Sequence, residues 1–163
     1  MFVTLFKSLV RPLLEYGHCV WQPMDKQLCK EIENVQRRAT KQLSHLKDLT
    51  YPERLRNLKL PSLEHRRARG DMIETFKYLN GFYQTQRPTF ERATTEQLRG
   101  HPMKLSKQRC RLKLRANYFS NRIVNTWNGL PASVVTAPSV DSFKRRLDDH
   151  WKDLPSLFNP TCQ

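Results

Sequence analysis

The strongest pattern in the sequence is a helical repeat of apolar residues that begins after Asp25. Its apolar positions recur at steps of three or four residues, which places them on one face of an α-helix. Asp25 is a favourable N-cap for such a helix. Because an apolar helix face has to be buried against another element, the segment predicts a helical core. The predicted apolar stripe consists of Leu28, Ile32, Val35, Ala39, Leu43 and Leu46.

The opposite face of this helix is basic. It carries Lys26, Lys30, Arg37, Arg38 and Lys41. A charged helix face is usually a solvated surface, but it can also extend a positive binding surface. The sequence leaves both interpretations open.

Weaker patterns of the same kind predict helices along most of the chain. Pro12 should kink or end the first of them near Arg11, because proline lacks the backbone N–H and clashes with the preceding turn. Thr50 and Glu53 have the spacing of a capping box and should start a short helix. The tail after Pro155 is predicted to fray. The segments with helical spacing are 2–16, 25–46, 50–58, 62–81, 117–128 and 139–154.

One segment, residues 109–115, has the alternation of a β-strand. Such alternation is typical of a half-buried strand, so Cys110, Leu112 and Leu114 should face a core. The fold class is therefore predicted to be mainly α, a small helical bundle with a short β-ribbon near residues 103–115. The charges on the other strand face either bind an extended phosphate backbone or protect a strand edge. These charged residues are Arg109, Arg111, Lys113 and Arg115.

The chain divides by composition into three predicted parts. Residues 1–81 form a helical region, and residues 109–163 combine the basic strand with two helices. Residues 82–108 contain Pro88, Gly100 and Pro102 but few apolar residues, which is typical of a loop or linker.

Basic residues without acidic neighbours suggest a function. The formal net charge is +14 and the pI is about 10.1, while residues 97–140 contain no aspartate or glutamate. One sign of charge over so many positions attracts polyanions, of which nucleic acid is the commonest. We therefore expect RNA or DNA to be bound through its phosphate backbone. The expected binding residues are Arg99, Lys104, Lys107, Arg109, Arg111, Lys113, Arg115 and Arg122.

The sequence offers no constellation for catalysis, and no cofactor is predicted. Metal-dependent nucleotidyl transfer needs converging carboxylates, and the only adjacent acids are Asp148 and Asp149, within the last predicted helix. No phosphate-binding glycine-rich loop or nucleophile elbow is present. No segment approaches the ~18–20 apolar residues that span a bilayer, so no membrane contact is expected.

No metal site is predicted either. The candidate zinc ligands are His18, Cys19, Cys29 and His45, and their spacing fits no C-x-x-C pattern. We expect the cysteines to be reduced thiols of an intracellular protein.

Several blocks of sequence carry a family resemblance. LVRPLLEYG at residues 9–17, followed by CVWQP at 19–23, resembles the segment after the polymerase palm in reverse transcriptases of non-LTR retrotransposons, particularly the jockey-like kind. Further blocks resemble the C-terminal region of that family in the same order. These blocks are 32–39 (IENVQRRA), 49–63 (LTYPERLRNLKLPSL), 64–81 (containing RRARGDMIETFKYLNG), 119–131 (FSNRIVNTWNGLP) and 139–148.

The resemblance implies that residues 1–81 are a thumb-like region and that the remainder is a nucleic-acid-binding extension. Polymerisation in that family belongs to the fingers and palm, whose aromatic-x-Asp-Asp motif has no counterpart here, so no catalytic residue carries over. The expected protein is a truncated remnant of an RNA-directed DNA polymerase that lacks the catalytic palm. It would retain sequence-nonspecific binding of template and primer, and the missing palm would be a second partner.

The alternative is a non-catalytic helical interaction protein or an inert domesticated fragment. An exposed apolar stripe on the first helix, with Phe2, Phe6 and Leu13 outside any core, would favour this alternative.

Overall fold

The computed structural model describes residues 1–84, 90–93 and 100–161, and this part of the chain is mainly helical, as predicted. Residues 85–89 and 94–99 of the predicted loop lie outside the described residues. None of the described helices combines the length and the apolarity needed to cross a membrane. The helices are α1 (Phe2–Leu5), a π-helix (Phe6–Val10), α2 (Arg11–Glu15), α3 (His18–Trp21), α4 (Lys26–Lys41), a 3₁₀ helix (Ser44–Leu46), α5 (Tyr51–Leu58), α6 (Leu63–Leu79), α7 (Lys113–Ala116), α8 (Phe119–Arg122), α9 (Val124–Asn128), α10 (Ala132–Val135), α11 (Val140–Trp151) and a second 3₁₀ helix (Pro155–Leu157).

The chain divides into two compact units. Unit 1 comprises residues 1–68 and 153–163, and unit 2 comprises residues 69–152. The boundary near residue 68 falls inside α6. The predicted division into residues 1–81, 82–108 and 109–163 stays a prediction.

Pro12 is accommodated by a wider helical turn. The Arg11 N–H donates to the Phe6 carbonyl, five residues earlier, within the π-helical segment. Pro12 then occupies the first turn of α2, a position that tolerates proline. The irregularity expected near Arg11 is present, and the chain continues as α-helix to Glu15. Gly17 then adopts a left-handed conformation with φ of +66°, which glycine tolerates without a Cβ clash.

The buried face of α4 in unit 1 is polar. Glu33, Gln36 and Thr40 are buried, whereas Leu28 and Val35 of the predicted apolar stripe are exposed. Glu33 accepts hydrogen bonds from the Tyr51 hydroxyl at 2.6 Å and from the backbone N–H of Leu63 and Glu64, each at 3.2 Å. The predicted burial of Leu28 and Val35 is wrong, because the helix is oriented by a carboxylate that caps the start of α6.

The apolar core of unit 1 lies around α5. Tyr51, Leu55 and Leu60 form a buried cluster against which Val3 and Phe158 pack. The predicted caps are present: Asp25 accepts from the Gln27 N–H at 3.0 Å, and the Thr50 N–H donates to Glu53 at 2.7 Å.

The C-terminal tail packs within unit 1. The Ser62 N–H donates to the Leu157 carbonyl at 2.8 Å, and the Ser62 hydroxyl donates to the Ser156 carbonyl at 2.7 Å. The prediction of a frayed tail after Pro155 is therefore wrong for these residues.

An aromatic stack forms the centre of unit 2. Trp127 is fully buried, its ring lies 6.0 Å from that of Phe143, and Phe143 stacks on Phe76 at 4.4 Å. Ser139 caps α11 by accepting from the Ser142 N–H at 3.2 Å, as its position before the last helix predicts. The helix predicted over residues 117–128 is present in two pieces, α8 and α9.

Candidate nucleic-acid interface

Residues 107–115, which carry five exposed cations, are called the basic segment. Residues 107–110 belong to no helix or strand, and α7 begins at Lys113. The exposed cations are Lys107, Arg109, Arg111, Lys113 and Arg115.

The predicted β-ribbon is wrong. The described residues contain one isolated antiparallel bridge, between Arg92 and Leu105, and no strand. At the end of the basic segment the chain is helical instead, since the Ala116 N–H donates to the Leu112 carbonyl at 3.1 Å. Leu112 is 70% exposed and Leu114 is 56% exposed, so neither side chain faces a core as the alternation predicts.

The chain before the basic segment is fixed to α9. Leu105 and Asn128 exchange two hydrogen bonds of 2.9 Å, from the Leu105 N–H to Oδ1 and from Nδ2 to the Leu105 carbonyl. The indole N–H of Trp127 donates to the Met103 carbonyl at 2.8 Å. His101 Nε2 lies 3.0 Å from the Trp127 carbonyl. These bonds hold residues 101–105 on the aromatic core of unit 2.

Arg122 fixes the chain after the basic segment. Its Nε and Nη2 donate to the two carboxylate oxygens of Asp71 at 3.2 and 3.0 Å. Its Nη1 donates to the Asn117 carbonyl at 3.2 Å, and its guanidinium lies 5.4 Å from the centre of the Phe119 ring. Arg122 is therefore engaged inside unit 2, and we assign it a positioning role rather than a place on the exposed basic surface.

The other expected binding residues differ in their surroundings. Lys104 is half-buried and folds over Gly100, where an added Cβ would lie 2.7 Å from Lys104 Cε. Burial, and then the positive charge of Lys104, lower the pKa of His101, against the opposing hydrogen bond to the Trp127 carbonyl. Arg99 lies outside the described residues.

The electrostatic surroundings of the basic segment favour an anion. Within the described ranges, none of its five cations forms an ion pair with a carboxylate. Arg115 Nη2 donates to Gln108 Oε1 at 3.4 Å, and Gln108 Nε2 donates to Glu91 at 3.4 Å. Among the described residues, Glu91 is thus an acidic group that reaches this surface, and it does so through the Gln108 amide rather than through a cation.

Tyr118 is a surface residue that the sequence patterns do not single out. It lies two residues after the end of α7, and the residue is 56% exposed. Its N–H donates to the Arg115 carbonyl at 3.2 Å, and its carbonyl accepts from the N–H of Asn121 and Arg122 at 2.9 Å. An aromatic residue three positions after the last cation of the run is the signal that could have identified it.

The residues considered above as metal ligands are only partly brought together. Cys19 Sγ lies 3.5 Å from His18 Nε2, whereas among the described residues neither Cys29 nor His45 joins a group of potential metal ligands. Asp148 accepts hydrogen bonds from Arg69 Nε and Nη2 at 2.6 and 2.8 Å, so its carboxylate is held in an ion pair.

Comparisons of this chain with protein-family models, with curated proteins and with solved structures find no match.

Proposed function

We propose that the protein is a non-catalytic, sequence-nonspecific nucleic-acid-binding protein that holds RNA or DNA by its phosphates. The observation that supports the proposal is the basic segment, in which five exposed cations have no carboxylate partner among the described residues. Phosphate contacts supply affinity and position without reading the base sequence.

The anchoring of the basic segment strengthens this proposal. Residues before it are bonded to Trp127 and Asn128, and Asn117 after it is bonded to Arg122. Anchored ends restrict the conformations that the segment has to give up when it binds, which lowers the entropic cost of binding. The anchored segment therefore loses less conformational entropy on binding phosphates than a flexible tail of equal charge would.

The family resemblance supports a role of the same kind. We propose that the chain corresponds to the thumb-like and C-terminal region of a non-LTR retrotransposon reverse transcriptase, a region that would contact template and primer. Catalysis is not part of this proposal, because the chain carries no counterpart of the aromatic-x-Asp-Asp motif.

Replacing the five cations with glutamine tests the proposal. Counterion release predicts a log–log salt slope with a contribution of about −3.5 on single strands and about −4.5 on duplexes from five phosphate contacts. The variant should lose affinity and flatten the slope by these amounts, measured by fluorescence anisotropy of labelled oligonucleotides at several salt concentrations. Unrelated base sequences should be bound by the unchanged protein with similar affinity.

A matched control removes the same charge elsewhere. Each substitution in it replaces an exposed cation outside the basic segment with glutamine. The positions are Lys7, Lys47, Arg56, Arg145 and Lys152. If both quintuple variants lose affinity equally, net charge alone is responsible; if the basic-segment variant binds like the unchanged protein, the proposal is wrong.

The second candidate function is a helical interaction protein. Leu5, Leu9 and Leu13 follow at steps of four residues and are all exposed, with Leu13 at 81%. Phe6, however, is buried, so only part of the stripe lies outside a core. A variant with Leu9→Gln and Leu13→Gln separates the two functions in the same titration, because a protein-binding face should not affect the affinity for oligonucleotides.

A further inference from the structure

We propose that Tyr118 is a base-stacking residue that makes the basic segment select single-stranded over double-stranded nucleic acid. This inference rests on the proposed function and adds the strandedness of the ligand. Phosphates occur on both kinds of strand, so the cations alone give little selection between them. The faces of the bases, in contrast, are accessible in a single strand and stacked against one another in a duplex.

The exposed side chains of this region combine the two chemistries that single strands require. Tyr118 lies one turn after Arg115, and both Lys113 and Arg115 of α7 are exposed. Proteins that bind single strands without sequence preference pair cations for the backbone with aromatic rings for the bases. A ring without neighbouring cations, or cations without a ring, would not provide this pairing.

The backbone of Tyr118 is held in place although its ring is exposed. Its carbonyl accepts two N–H groups of the first turn of α8, at 2.9 Å each, and its own N–H is bonded to the last turn of α7. The next residue, Phe119, lies against the ring of Phe90 with centroids 5.8 Å apart. Because its backbone is fixed, only the side-chain torsions of Tyr118 have to be ordered when a base stacks on the ring, which lowers the entropic cost of stacking.

Exposed leucines between the cations raise a competing explanation. Leu112 and Leu114 beside arginines and lysines are also features of segments that lie on anionic lipid surfaces. Two observations favour nucleic acid. The apolar residues here occur within an irregular segment and a four-residue helix, not on one face of a long amphipathic helix. Tyr118 offers a planar surface that matches a base.

The test compares Tyr118→Ala and Tyr118→Phe on two probes, a labelled oligodeoxythymidylate and a labelled mixed-sequence duplex. Stacking of one base corresponds to about a 5-fold to 150-fold change in affinity. We expect Tyr118→Ala to lose affinity for the single strand within this range and to change duplex affinity less than about 2-fold. Tyr118→Phe should bind both probes like the unchanged protein, because the ring is retained. The salt slope should be the same in all three proteins, since no phosphate contact is removed.

Tyr16→Ala is the control, because Tyr16 is an exposed tyrosine of unit 1 and does not belong to the basic segment. Unchanged binding of oligodeoxythymidylate by Tyr118→Ala, or an equal loss on both probes, would overturn the stacking role while leaving the proposed function intact. A third outcome is that the unchanged protein binds neither oligonucleotide but binds phosphatidylserine vesicles, and that the double variant Leu112→Ser with Leu114→Ser no longer binds the vesicles. In that case the surface binds lipid, and both proposals fail.

Discussion

Glu33 and Arg67 are ionisable residues that are both buried in unit 1. Burial raises the pKa of Glu33, while its hydrogen bonds with Tyr51, Leu63 and Glu64 and the positive charge of Arg67 act in the opposite direction. The Nε, Nη1 and Nη2 atoms of Arg67 have no hydrogen-bond partner among the described residues. A buried charge is costly without compensation. The positive charge of Arg67 thus favours the ionised form of Glu33, and Arg67 also acts to lower the pKa of the Cys29 thiol, which burial raises.

His101 provides a pH dependence that can be measured. Its Nε2 faces the Trp127 carbonyl, and its buried Nδ1 has no partner in the described part of the chain, so a second proton would lack an acceptor. With a pKa below the ordinary value of about 6.5, its contribution to stability is complete above that pH and is lost as the pH falls through the lower folded pKa.

We expect the melting temperature to decrease more steeply with acidification in the unchanged protein than in His101→Gln, because glutamine keeps an amide donor for the carbonyl and does not titrate. Thermal melts followed by circular dichroism from about pH 7.5 to about pH 5 measure the difference. Parallel pH profiles for the two proteins would contradict the assignment.

At the scale of elements, α9 links the core of unit 2 to the candidate interface. Trp127 packs on Phe143 through its ring and binds the Met103 carbonyl through its N–H. Asn128, the last residue of α9, binds both backbone groups of Leu105. One short helix thus positions the chain that enters the basic segment.

Truncating Trp127 should remove much of the stability. We expect Trp127→Ala to lower the free energy of unfolding by about 3–5 kcal/mol, because a fully buried ring leaves a cavity. Trp127→Phe should cost about 1–3 kcal/mol, since ring packing is largely kept while the Met103 carbonyl loses its donor. Urea denaturation followed by circular dichroism gives both values. Equal costs for the two variants would indicate that ring packing contributes nothing, contrary to the contact with Phe143.

At the scale of the whole molecule, charge is distributed unevenly along the chain. The formal net charge is +14, and residues 97–140 contain no aspartate or glutamate. Glu91 is the described acid that reaches the basic segment, through Gln108. In the described part of the chain, the Glu91 carboxylate therefore opposes the positive field at the segment.

Neutralising Glu91 should strengthen binding. We expect Glu91→Gln to raise oligonucleotide affinity by about 0.5 kcal/mol, or about 2-fold, at low salt, with the gain disappearing as salt increases. Glu31→Gln is the control, because Glu31 is an exposed acid on α4 in unit 1. The same gain from both variants would show that total charge, rather than the position of Glu91, sets the affinity.

The sequence by itself determined the helical class and several helix ends. Asp25, Thr50 with Glu53, and Ser139 start helices where their spacing predicts, because a cap depends on residues within one turn. The burial of Trp127 was also predictable, since a large aromatic ring that shares a helix face with other apolar residues usually lies in the core. The binding role of the cations stays a prediction.

Tertiary structure alone decided which face of α4 is buried and what Arg122 does. Glu33 is buried because Tyr51 and the start of α6 supply its hydrogen bonds, and Arg122 is turned inward by Asp71, 51 residues away. The alternation at residues 109–115 indicated a strand, but a strand also needs a neighbour for its backbone, and the described residues supply none. Partners distant in sequence leave no periodic signal, so amphipathic spacing could not reveal any of these outcomes.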